Sequence, residues 1–328
     1  MKMTILKCRL RAKCCVGCAT LVPALFGAGC AATTGRPAPF ASSVEEWSED
    51  GFNGRRYVTE HFEIVSTIRD AEFETALPGF LEAVHHRCAA TLPPANSDTA
   101  RLTACVFGNR AEWERFVRRR FPARYDVYSR IRSGGFTEGS TSVSFYVSRA
   151  GTLATLAHEA WHQYVGANVK SPMPAWLNEG LACLHESVRT AGRKFVFTPR
   201  ENTFRINSLR EAVQTDKLIP LARLIDTDAG EVISQGYSVT TQTYYAQAWA
   251  LVTFLRYGEN GSYARAFDRL LSDIADDTFR VRLSAASVTT AATPGVSAQS
   301  AVFEAYFGVR PEHLAEAYYD YLVRVAGF

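Results

Sequence analysis

His158-Glu159-Ala160-Trp161-His162 constrains this chain more than any other stretch. It reads H-E-x-x-H inside the segment 152–166, where Leu153, Leu156, Ala157, Ala160, Trp161, Tyr164 and Val165 recur at intervals of three and four. That spacing predicts an amphipathic helix, and Gly166 is a natural stop for it. On a helix, residues four apart share a face, so His158 and His162 project side by side and can bind one metal ion. Glu159 lies about 100° further round, close enough to hold a water beside that ion without binding the ion itself. Neutral imidazoles suit Zn²⁺, and a neighbouring carboxylate can take a proton from the water.

A catalytic zinc keeps three protein ligands and one open position. The segment 172–186 supplies the third as a second predicted helix, opened by Pro172 and Pro174 and striped by Trp176, Leu177, Leu181 and Leu184. Glu179, 17 positions after His162, is the expected ligand. Its neighbour Asn178 orients or caps that helix. His185, six positions beyond Glu179, is expected off the metal, as are His61 on a strand and the adjacent pair His85 and His86. Trp161, Trp176 and Trp249 are read as core.

The pairing of His158-Glu159-x-x-His162 with Trp176-Leu-Asn-Glu-Gly-Leu-Ala182 resembles the gluzincin metallopeptidases, and among them the peptidase-MA-like family, a bacterial domain-of-unknown-function group. The resemblance runs from about Tyr57 to the C-terminus. It implies an α+β, zincin-like fold, with a small mixed sheet followed by a mainly helical C-terminal half. It implies one Zn²⁺ held by His158, His162 and Glu179, with Glu159 as general base. An oxyanion donor comes from a downstream Tyr or His in several gluzincins; Tyr245 fits by its place at a helix start, with Tyr244 close behind, and core packing is the competing role for both. The strand before the zinc helix, 141–148, is expected at the sheet edge, where an extended substrate can add main-chain hydrogen bonds.

The N-terminus reads as a targeting segment. Lys2, Lys7, Arg9, Arg11 and Lys13 precede an apolar stretch from Cys14 to Gly29, too short to span a bilayer and right for a signal-peptide core. Small residues before Cys30 resemble a bacterial lipoprotein cleavage site, although Gly27 stands where Leu is usual; simple cleavage and release is the alternative. Export and a lipid tether at Cys30 as the sole membrane attachment are therefore expected. Removing the first 29 residues takes away five basic groups and turns a net charge of +3 into −2. That leaves no strong case for a nucleic-acid partner, and none is expected; Arg118-Arg119-Arg120 reads as a solvated helix end. Of the cysteines, Cys88, Cys105 and Cys183 remain, an odd number; Cys88 with Cys105 is the one pairing considered.

The domain reading is a signal segment 1–30, a linker 31–52 and a peptidase-like domain 53–328, with a sheet-containing half to 170 and a helical half from 171. Alternation marks strands at 56–66, 101–107 and 141–148. Asp70 opens a helix expected to kink or restart at Pro78-Gly79, and Asn109 caps another. The segments 130–139, 236–241 and 285–300 read as loops, while 244–258 and 311–325 read as strong helices. Three functions compete: a zinc peptidase of the cell envelope acting on peptide or protein substrates, a zinc amidase acting on cell-wall peptides, and a non-catalytic envelope lipoprotein that only binds. Retention of Glu159 beside both histidines favours the enzymes, because a purely structural zinc needs no base.

Overall fold

Alternating side chains split the strands of the N-terminal half between two apolar faces. A computed structural model describes residues 43–94, 100–132, 134–191, 194–227, 239–290 and 297–328. The expectations for the signal segment and Cys30 lie outside the described residues. The sheet has six strands: β1 (Ser43–Glu49), β2 (Phe52–Val58), β3 (Phe62–Ser66), β4 (Leu102–Phe107), β5 (Gly135–Glu138) and β6 (Thr141–Phe145), in the order β1-β2-β3-β4-β6-β5. Strands β3, β4 and β6 run parallel, and the other pairs are antiparallel.

On one face Phe62, Ile64, Leu102, Ala104 and Val106 join the main core, together with α1 (Ala71–Thr91) and α4 (Arg149–Asn168). On the other, Val65, Cys105, Phe107, Val143 and Phe145 pack under Trp113 and Val117 of α2 (Arg110–Arg120). The period of two thus makes a three-layer arrangement, helix on sheet on helices. A short α3 (Tyr125–Tyr128) follows α2.

Among the described residues, the regular structure of the C-terminal half is helical apart from a hairpin, β7 (Val188–Ala191) with β8 (Lys194–Phe197). Its helices are α5 (Ala175–His185), α6 (Thr203–Gln214), α7 (Leu221–Asp226), α8 (Val239–Tyr257), α9 (Ala264–Ala275), α10 (Thr278–Thr290), α11 (Ala298–Phe307) and α12 (Pro311–Ala326). Helix α8 is central: Tyr244, Trp249, Leu251, Phe254 and Leu255 on it are buried. The fold is α+β, a small mixed sheet followed by a mainly helical half.

Several local expectations are corrected. Strand β1 lies within the stretch read as linker, so ordered structure begins before residue 52. Helix α1 passes through Pro78 without restarting, because Leu77, Phe80, Leu81 and Val84 around it are all buried and their packing outweighs one lost hydrogen bond. Helix α4 likewise continues two residues past Gly166. Residues 135–138, read as loop, form β5. This strand, not β6, is the sheet edge beside α4, since Phe136 buries against Tyr128 and Trp113 while β6 is enclosed on both sides. Helices also occupy 239–241 and 285–290. Cys88 and Cys105 are free thiols, not a bridge: Cys88 on α1 faces the main core and Cys105 on β4 faces the opposite side of the sheet.

Candidate metal centre

Helix α4 is placed by its capped N-terminus and its apolar face. The Ser148 side chain accepts from Gly151 N at 3.1 Å, capping the N-terminus. Leu156, Ala157, Ala160, Trp161 and Tyr164 bury, and the Gln163 amide donates to the carbonyls of Thr103 and Ser140, tying the helix to the sheet. His158 and His162 are thereby left on the face turned to α5. There Trp161 Nε1 donates to Asn178 Oδ1 at 2.9 Å, so Asn178 joins the two helices rather than capping one.

The residue after Glu179 fixes how deeply α5 sits. A Cβ on Gly180 would come within 2.5 Å of the Ala248 carbonyl oxygen on α8 and of a Val252 methyl. Backbone cannot swing aside, so glycine is required for this approach. Gly180→Ala is expected to lower stability by about 1–3 kcal/mol through overpacking, even though alanine is the better helix former. Urea denaturation reads it; an unchanged or raised midpoint would show that α5 and α8 are not in this contact.

Three ligand-type atoms meet between α4 and α5. His158 Nε2 and His162 Nε2 lie 3.1 Å apart, and Glu179 Oε2 lies 3.2 Å from the first and 3.4 Å from the second. Glu179 is 5% exposed. Two imidazole nitrogens and a carboxylate oxygen facing one another bring lone pairs together, an arrangement held only by a proton or a cation. Zinc bonds of about 2.0–2.1 Å set tetrahedral ligand atoms about 3.3 Å apart, so the triangle has the size such an ion needs. Burial would raise the Glu179 carboxyl, but His162 and His158 outweigh it and hold it well below the usual carboxylate range. Burial likewise opposes a charged His158, yet Cys183, Glu179 and Glu186 drive its pKa well above the usual histidine range. The pocket therefore favours positive charge at its centre.

His158 is also held from behind. Its Nδ1 lies 2.8 Å from Glu186 Oε1, which directs the Nε2 lone pair toward Glu179 and His162. Glu186 in turn accepts from Asn202 Nδ2 at 2.8 Å and from Arg205 Nε at 2.9 Å, with a second Arg205 contact to Oε1. Both partners of this ion pair are under a tenth exposed. Glu186, Asn202 and Arg205 were not singled out by sequence. The available signal was an acid seven positions after Glu179, two turns along the same helix face.

The remaining predicted residues divide sharply. Glu159 is 7% exposed, and its Oε2 accepts from Thr137 Oγ1 at 2.8 Å. The Tyr245 ring stands edge-on to His158 with centroids 5.8 Å apart and lies under the Arg205 guanidinium at 5.2 Å. Burial, then Glu179, push its phenol well above the usual range, so it keeps its proton. Tyr244 is completely buried in the main core, its ring 6.0 Å from that of Tyr245. His185 is buried against Trp161 with Nδ1 on the Leu181 carbonyl, away from the trio. His61 is not a plain strand-surface residue: it sits in the β2–β3 turn, where its backbone N–H and Nδ1 occupy both oxygens of Glu82 at 2.9 and 2.6 Å, and it stacks on His85. That group braces the turn against α1. Arg119 pairs with Asp50, and Arg118 to Arg120 are exposed.

Residues 152–273 match the family model described as "Protein of unknown function (DUF1570)". The match takes in α5, α8 and all but the first turn of α4, and its description assigns no activity. No curated protein matches the chain.

Proposed function

We propose that the chain is a zinc-dependent peptidase that hydrolyses peptide bonds in the bacterial cell envelope. The observation that carries this reading is the meeting of His158 Nε2, His162 Nε2 and Glu179 Oε2 within 3.4 Å of one another; Glu159, next to His158 in the chain, is a buried carboxylate that is not one of the three. These side chains would hold one Zn²⁺. When bound, the ion supplies Lewis acidity to a water and to the scissile carbonyl.

Glu159 takes the proton from the attacking water and passes it to the leaving amine. Tyr245, kept protonated, offers its O–H to the developing oxyanion. Glu186, with Arg205 and Asn202 behind it, holds the His158 ring in one tautomer and one orientation. The envelope location rests on the N-terminal targeting pattern alone; no described helix is long and apolar enough to cross a membrane.

The purified chain is expected to carry about one zinc by elemental analysis and to digest unfolded casein. A chelator should abolish digestion, and added Zn²⁺ should restore it. Zinc binding with hydrolysis of muropeptides but not of casein would turn the reading to a cell-wall amidase. Zinc binding without any hydrolysis would leave a binding lipoprotein.

A further inference from the structure

We propose that Thr137, in the edge strand β5, is a positioning residue for Glu159. This rests on the peptidase reading above and goes beyond the residues any zinc-binding pattern contains. A buried carboxylate needs donors. The Thr137 hydroxyl lies 2.8 Å from Glu159 Oε2 and 3.1 Å from the Glu159 carbonyl oxygen. A hydroxyl has one proton, and a charged oxygen at the shorter distance takes it in preference.

The strand puts the hydroxyl there by register. Thr137 lies opposite Ser142 of β6, and alternation sends Phe136 to the core under α2 while Thr137 faces α4. Thr137 and Glu159 are 22 residues apart, one on the sheet and one on the zinc helix. The contact therefore reports how β5 and α4 dock rather than any local turn.

The terminal torsion of a glutamate is broad and roughly two-fold, so its carboxylate plane is loosely set by the backbone. A hydrogen bond to Oε2 fixes that plane and leaves Oε1 to receive the water proton. Thr137 neither gains nor loses a proton in the reaction. Its contribution is orientation, for which small misplacements carry large rate effects.

The test compares wild type, Thr137→Val and Thr137→Ser, each zinc-loaded, in casein and peptide assays, with zinc affinity measured separately by competition with a chromogenic chelator. Valine keeps the shape and removes the donor; it should lower kcat about 10–100-fold with KM and zinc affinity unchanged. Serine restores the donor and should restore kcat to within a few-fold. Wild-type kcat in Thr137→Val overturns the proposal. So does a loss of zinc affinity matching the loss of kcat, because Thr137 would then support the fold of the site and not the base. If the valine chain fails to fold, Thr137→Ala against Thr137→Ser decides the same point by kcat. A wild-type chain that cleaves no peptide overturns the peptidase reading and this inference with it, an outcome distinct from active wild type with active Thr137→Val.

Discussion

Glu159→Gln is expected to keep about one zinc per chain while kcat falls by roughly 10²–10⁴-fold. The substitution is isosteric, and the ligand atoms belong to other residues, His158, His162 and Glu179. The amide oxygen can still accept from Thr137, so the contact between β5 and α4 survives. A neutral amide is also cheaper to bury than a carboxylate that is 7% exposed, so stability should hold or rise. What disappears is the acceptor for the water proton. A loss of that size corresponds to about 3–5 kcal/mol of transition-state stabilisation. Elemental analysis and steady-state kinetics on the same preparation separate the two effects. Retained zinc with undiminished turnover would remove Glu159 from the chemistry and the peptidase reading with it.

The parts of this site that were legible in the sequence are those carried by a single helical period. His158 and His162 are four apart on one face, Glu179 sits on a second helix with an apolar stripe, and both helices form as the pattern indicates. Tyr245 and Tyr244 were harder to separate, since neighbours on a helix differ by one angular step. Only the packing of α8 shows that Tyr244 enters the core while Tyr245 turns to His158. The clamp of Glu186, Asn202 and Arg205 joins the end of α5 to the start of α6 across the β7–β8 hairpin, and no local period links them. Strand β5 was hidden because Gly134-Gly135 reads as a turn and a four-residue strand with one apolar side chain offers almost no alternation. Its role at the sheet edge, and the reach of Thr137 to Glu159, follow from pairing with β6, which a sequence does not display.

Removing Glu186 should produce the largest effect outside the ligands themselves, on both folding and zinc. Glu186→Ala leaves the Arg205 guanidinium, 8% exposed, without its carboxylate. Breaking one side of a buried ion pair costs about 3–5 kcal/mol. It also frees His158 Nδ1, and loss of such a support typically weakens a metal site by about 10–100-fold. Burial would raise the Glu186 carboxyl, but Arg205 and His158 hold it well below the usual range. Because its folded pKa is depressed, its stabilisation is present above the unfolded carboxylate value of about 4.3 and is lost as pH falls through the lower folded value. The variant should therefore differ most from wild type near neutrality and converge with it in acid. A double replacement, Glu186→Leu with Arg205→Leu, removes both charges and fills the space, so it should be more stable than Glu186→Ala alone. It should still bind zinc weakly, since His158 has lost its partner. Chemical denaturation across pH, paired with zinc titration, reads both quantities. If the double variant regained wild-type zinc affinity, Glu186 would be a folding element only, and the orientation of His158 would have to come from α4 itself.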